Sequence, residues 1–146
     1  MKLEDIFAQW DNDSQLDRTK LDNVALGLPQ MHAKYLRLLS HERLVLKKYE
    51  ADYKTLKLDK QLFYVDGPSD ETPKSWIEES RAFGKRVLKS DVGMYLEGDK
   101  DIINMSLKIG MQQEKVEVLK SIVDTISRLG FQVKNAIDWM RFQNGS

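Results

Sequence analysis

The chain of 146 residues contains no cysteine, which excludes a disulfide framework, a thiolate metal site and a cysteine nucleophile and fits a reducing compartment. Proline occurs only at 29, 68 and 73, and glycine eight times; so few breakers over this length predict few, long helices. No apolar run approaches the roughly 20 residues that span a bilayer. Met1 leads into Lys2, Glu4 and Asp5 rather than into an apolar signal core. The expectation is a soluble, unsecreted protein with no membrane contact. Neither sign of charge dominates, with 23 Lys and Arg against 23 Asp and Glu, so long-range attraction to a polyanion is weak and any nucleic-acid contact must come from a local stripe. What remains is 41% hydrophobic residues, with three Trp, five Tyr and five Phe. That suffices for a packed core and argues against wholesale disorder. The length allows a single helical domain over residues 1–146.

Catalytic signatures are also missing. There is no glycine-rich phosphate loop, no nucleophile elbow and no His-Glu-x-x-His pair. His32 and His41 are nine apart and do not share a helical face, so a common metal is not expected. Glu78 and Glu79 are adjacent, and adjacent helical residues do not face each other. Asp66, Asp70 and Lys74 resemble a divalent-ion cluster only in composition; in a turn rich in Pro, Gly and Ser, loop solvation explains them. The reading is a protein that is not an enzyme, with no catalytic residue, metal or cofactor.

Helix is the default along the chain. Leu3, Ile6, Phe7 and Trp10, three and four apart, predict a short first helix that ends in the polar run Asp11–Ser14. Pro29 either opens a new helix or kinks a continuing one. From about residue 30, Tyr35, Leu39, Leu46, Tyr49, Tyr53, Leu56 and Phe63 become a strict three-four repeat once Glu42 and Lys60 fill the gaps. This is a coiled-coil-type seam with two polar interruptions. A matching seam runs through Ile102, Met105, Ile109, Gln112, Val116, Leu119, Val123 and Ile126. The pair predicts a long antiparallel helical hairpin in an all-α fold. Asp99 and Asp101 supply the cap and first-turn charge of the second long helix, and Gly130 its stop, so that Val133, Ala136, Ile137 and Met140 form a short C-terminal helix. Residues 66–98 are an irregular connection. Asp66–Glu71 is a turn cluster, Thr72 and Pro73 look like the start of a helix with Ser75 and Glu78 as a competing capping box, and 84–98 reads either as helix or as two short strands.

Charge is distributed unevenly. Residues 32–60 carry eight basic against four acidic side chains. At 100° per residue Arg43, Lys47, Lys54 and Lys57 fall within about 80° beside the seam, a basic ridge to which Lys48 and Lys60 can add. Four to six phosphates can be neutralised there, and Tyr49, Tyr53, Phe63 and Tyr64 can stack on unpaired bases. The competing reading is a solvated flank with aromatics in the core. Lys60, at a seam position, is costly unless the seam opens there. A thin hairpin also leaves apolar surface to spare, and the C-terminal stripe serves either self-association or docking onto its own hairpin.

A run of short blocks resembles the UvsY family, the recombination mediator proteins of T-even-like myoviruses. The blocks are Leu3-Glu4-Asp5, Thr19-Lys20-Leu21, Lys34, Glu50-Ala51, Lys54, Phe63-Tyr64, Asp99-Lys100-Asp101, Asp124, Ile126, Gly130-Phe131, Lys134, Asp138 and Phe142. They cover the chain apart from 66–93. The resemblance implies a non-catalytic loader acting in the cytoplasm of an infected bacterial host. Such a loader binds single-stranded DNA, contacts the phage single-strand-binding protein and helps a RecA-like (UvsX-type) recombinase nucleate, in recombination, repair and replication. It further implies a ring-like homo-oligomer, a hexamer or heptamer, assembled through a C-terminal segment that maps onto Phe131, Val133, Ala136, Ile137, Met140 and Phe142. Two basic residues one apart near the end of the long helix are associated with single-strand binding in the family. Lys60 matches one, Leu58 occupies the other position, and Lys57 is the neighbouring substitute. The alternative is a helical homo-oligomeric phage structural or adaptor protein without DNA binding.

Overall fold

The computed structural model describes residues 1–80 and 87–145. Five helices follow in order: α1 (Leu3–Asp13), α2 (Leu21–Asp66), α3 (Lys74–Ser80), α4 (Val92–Glu97) and α5 (Lys100–Gln143). No strand occurs among the described residues. The chain divides into two compact units, one of Met1–Val45 with Gln112–Ser146, the other of Leu46–Met111. Both long helices contribute a stretch to each.

In the first unit the three-four repeats are buried as their spacing dictates. Tyr35 and Leu39 from α2 and Val116, Leu119, Ile122 and Ile126 from α5 are core residues. α1 closes over them with Ile6, which is fully buried, and with Trp10, whose ring meets Tyr35 edge-on at 5.5 Å. The Tyr35 hydroxyl and the Lys34 ammonium both donate to Asp13 at 2.7 Å, which ties the end of α1 to α2. Gln112 stands opposite Glu42, and a shallow cavity of about 340 Å³ is lined by Leu28 and Pro29 on one side and Ile126 and Gly130 on the other. Numbers rise along one helix as they fall along the other, so the pair is antiparallel.

Of the two readings of Pro29 the continuing helix holds, and the stop expected at Gly130 is absent. α2 begins at Leu21 and runs through Pro29, because Leu28 is buried and Leu21, Val24 and Ala25 are half-buried, and that burial offsets the hydrogen bond proline cannot donate. Gly130 does not stop the second long helix; α5 continues to Gln143. The apolar stripe crosses Gly130 without a change of period, from Ile126 and Leu129 to the buried Val133, so continued packing outweighs the backbone freedom of glycine. The C-terminal segment is therefore the last part of α5 rather than a separate helix.

In the second unit Phe63, Val92, Leu96 and Ile102 form the core. Gly67, at φ 86, takes the left-handed conformation that ends α2, with its amide donating to the Phe63 carbonyl at 3.0 Å. The Thr72 hydroxyl accepts the Ser69 amide at 2.8 Å, so it closes the turn instead of capping the next helix. α3 and α4 give the 66–98 connection regular structure. Of the stretch read as helix or two strands, 92–97 is helix, and 84–86 lie outside the described residues.

Gln112 fixes the register of the first unit. Its amide donates to the Glu42 carbonyl oxygen at 2.9 Å and to the Glu42 carboxylate, with both side chains buried. Gln112→Leu strands the Glu42 carboxylate and is expected to cost about 2 kcal/mol, measured by urea unfolding. Replacing both Glu42 and Gln112 with Leu restores most of that loss, and a double-mutant cycle reads the difference as coupling.

Candidate nucleic-acid interface

Within the second unit, α2 carries opposite charges on the two sides of its buried seam. The seam residues Tyr49, Tyr53 and Leu56 are half-buried and Lys60 and Phe63 buried. At 100° per residue Lys47, Lys54 and Lys57 cluster within about 80° on one flank, and Asp52, Asp59 and Asp66 within about 40° on the other, where the exposed Lys48 also falls, one turn before Asp52, so that it does not add to the basic ridge. Lys47, Lys54 and Lys57 are exposed, and none makes an ion pair among the described residues. Arg43, exposed likewise, stands one turn before Lys47 in the stretch of α2 that belongs to the first unit. Glu50 lies on the basic flank between Lys47 and Lys54 and lowers its net charge. Leu58, 56% exposed, is one turn beyond Lys54 and adjoins the same flank.

Lys60 stands apart from this group. Its side chain is 1% exposed, and its ammonium lies 3.1 Å from Asp99 and 2.9 Å from Asp101. The Trp76 ring of α3 covers it, 4.0 Å from nitrogen to ring centroid. As placed, the ammonium is spent on two carboxylates and offers nothing to a phosphate. The seam does not open at this lysine; it closes over it, because acidic and aromatic partners arrive from α5 and α3. The signal was present in the sequence as Asp99 and Asp101 at the start of the partner helix, in antiparallel register with Lys60.

Asp99 serves three groups at once. One carboxylate oxygen caps α5 by accepting the amides of Asp101 at 2.9 Å and Ile102 at 3.0 Å. The other accepts the Tyr64 hydroxyl and pairs with Lys60. Burial pushes the Asp99 carboxyl up, but the Tyr64 hydrogen bond, the Ile102 amide and Lys60 outweigh it and hold it below its ordinary 3.8. Tyr64 is driven above its ordinary 10.0, first by burial and then by the hydrogen bond to Asp99.

Of the aromatic residues on this stretch of α2, Tyr49, Phe63 and Tyr64 are engaged in packing, and Tyr53 is half-buried. Phe63 is buried, between Tyr64 at 5.6 Å and Trp76 at 5.7 Å, and Tyr49 lies under the Lys108 ammonium at 4.3 Å. The C-terminal residues divide. Val133 is buried in the first unit, Ala136 and Ile137 are half-buried, and Phe131, Met140 and Phe142 are exposed, at 73% and 75% for the two phenylalanines. Trp139 stacks on Phe142 at 5.8 Å and is exposed with it. No group of three or more His, Asp or Glu able to hold a metal ion occurs among the described residues, and no helix among them is long and apolar enough to cross a membrane.

Lys60→Met leaves Asp99 buried without its cation and is expected to cost about 3 kcal/mol or more in urea unfolding. Asp99, with its folded pKa lowered, contributes stability that is complete above about 3.8 and lost as pH falls through the lower folded value. Tyr64, with its folded pKa raised, contributes stability that is complete below about 10.0 and lost as pH rises through the higher folded value. Unfolding free energy against pH should therefore show a plateau between two falling limbs, and Tyr64→Phe should reduce the alkaline one without abolishing it, because burial and the hydrogen bond to Asp13 raise Tyr35 in the same direction.

The family model described as recombination, repair and ssDNA binding protein UvsY matches residues 9–146. The recombination protein uvsY of Enterobacteria phage T4 is 26% identical over 145 residues, covering 99% of this chain and 99% of that protein. Two crystal forms of the bacteriophage T4 recombination mediator protein UvsY share the fold. One has a TM-score of 0.78 at 20% identity, over 98% of this chain and 99% of that one; the other has 0.77 at 24% identity, over 99% and 98%. With the family matched over nearly its whole length, the chain belongs to the UvsY family.

Proposed function

We propose that this member of a recombination-mediator family binds single-stranded DNA along the basic flank of α2 and helps load a RecA-like recombinase onto DNA covered by single-strand-binding protein. The observation that carries the reading is the set Lys47, Lys54 and Lys57, exposed and free of ion pairs among the described residues, with Arg43 one turn earlier. The family description and the T4 relative's role in recombination support it. The work is binding and exchange, and the protein is not an enzyme. Lys60 belongs to the scaffold in this reading, which leaves four phosphate contacts per protomer.

Four contacts bind weakly at physiological salt, so the mechanism relies on repetition. In a homo-oligomer each protomer adds a copy of the flank, and a strand held at one copy meets the next at high effective concentration. Wrapping the strand loosens the competing single-strand-binding protein and presents bases to the recombinase. The exposed Phe131, Trp139, Met140 and Phe142 support association through the end of α5; Val133 contributes by packing within its own protomer. The place of action is the cytoplasm of an infected bacterium.

Fluorescence anisotropy of labelled single-stranded and duplex oligonucleotides at several salt concentrations tests the DNA contact. Preference for the single strand is expected, with a log-log salt slope of roughly −3, from four contacts at about −0.7 each. Lys54→Ala with Lys57→Ala should flatten the slope by about 1.4, and Leu58→Lys should steepen it by about 0.7. No binding at low salt overturns the reading in favour of a structural or adaptor protein. Phe131→Asp with Phe142→Asp should lower the assembled mass in sedimentation while leaving the helical circular dichroism intact.

A further inference from the structure

On the opposite flank of α2 the second unit has a groove of about 650 Å³. Its lining includes the apolar Leu56, Leu62 and Trp76, and Leu62 is 50% exposed. The same wall is acidic. Asp52, Asp59, Asp66 and Glu71 line it, no Lys, Arg or His does, and none of the four carboxylates has an ion pair or side-chain hydrogen bond among the described residues. From this we infer that the groove is a docking site for a basic amphipathic helix of another protein, distinct from the DNA-binding flank.

The occupant's shape follows from the spacing. Asp52, Asp59 and Asp66 recur every seven residues, about 10.5 Å apart along α2. Seven residues is the interval at which flanking positions recur between two helices laid side by side, where opposite charges set partner and orientation. A helix with apolar residues facing Leu62 and Trp76 and with Lys or Arg at every seventh position on one edge meets all three aspartates along its length. Its chemistry excludes the other ligand classes. Four carboxylates repel a phosphate backbone. Successive aspartates about 10.5 Å apart do not share one cation, and no three acidic groups converge to hold one among the described residues. A second copy offers bases spaced by seven at Lys47 and Lys54 of α2, to which the proposed function assigns DNA, and at Lys108 and Lys115 and at Lys134 and Arg141 of α5, pairs rather than the run of three that meets all three aspartates. The choice against α2 of a second copy rests on the DNA reading, whereas the charge and spacing argument does not.

The test uses the full chain and a fluorescein-labelled synthetic helix of three heptads, with a leucine stripe and lysine at every seventh position on one edge. The control helix has glutamate in place of each lysine. The lysine helix should bind and the glutamate helix should not. Asp52→Asn, Asp59→Asn and Asp66→Asn combined should weaken the lysine helix by about tenfold, and Leu62→Gln should weaken it independently of charge. All four substitutions are at exposed positions, and unchanged thermal unfolding verifies the fold. Single-stranded DNA binding, measured on the same variants, should be unchanged or stronger, so a failure of the DNA reading shows separately. Three results overturn the inference: no binding of the lysine helix, equal binding of both helices, or an affinity indifferent to the triple variant. A fall in assembled mass for the triple variant in sedimentation also overturns it, because a second copy then fills the groove.

Discussion

A lysine buried in a helical seam is an unfavourable placement on its own, and the second unit is arranged around making it acceptable. Taking an ammonium out of water costs several kcal/mol unless opposite charge and hydrogen bonds replace the lost hydration. Lys60 receives two carboxylates from the start of α5 and an aromatic face from α3. Asp99 in turn caps α5 and holds the Tyr64 hydroxyl of α2. Helix start, helix pairing and the docking of α3 therefore share one electrostatic centre. A substitution there disturbs all three, which is why Lys60 acts on the surface chemistry of the unit only through its fold.

The first unit meets its polar seam positions with an amide in place of an opposite charge. Glu42 and Gln112 interrupt their seams at facing positions and satisfy each other. Any sliding of α5 along α2 would separate them and bury both unpaired, a cost no apolar pair imposes. Apolar seams supply the bulk of the stabilisation, since burying a leucine or isoleucine is worth about 2 kcal/mol, but they tolerate a shift of one heptad. Polar interruptions do not, and the register follows from them.

With Lys60 withdrawn into the core, the surface of α2 in the second unit is left with Lys47, Lys54 and Lys57 on one flank, interrupted by Glu50, and with Asp52, Asp59 and Asp66 on the other, preceded by Lys48. A neutral total charge of zero thus conceals a bipolar helix. Under the proposed function this polarity separates two tasks that would otherwise compete: the basic flank holds a polyanion, and the acidic flank repels it and remains open to protein. Long-range steering is weak for a neutral molecule, so repetition of the flank in an assembly, rather than net charge, supplies avidity.

The sequence by itself determined the two long helices and their buried faces. Tyr35 through Phe63 and Ile102 through Ile126 are buried or half-buried at every seam position, because a three-four repeat admits one buried face on a helix. It also determined which lysines are exposed: Lys47, Lys54 and Lys57 lie off that face by geometry alone. The stop expected at Gly130 is absent, and of the two readings of Pro29 the continuing helix is the one present, because local backbone preference of about 1 to 3 kcal/mol is overridden where the apolar stripe keeps packing. Only the tertiary structure decided the fate of Lys60 and the aspartates. Burial of a charge depends on partners 39 and 41 residues away at Asp99 and Asp101. The aspartates at 52, 59 and 66 line a groove only when Pro73 and Trp76 fold back beside α2. Periodicity assigns a residue to a face; the company it keeps there is set by chain segments distant in sequence.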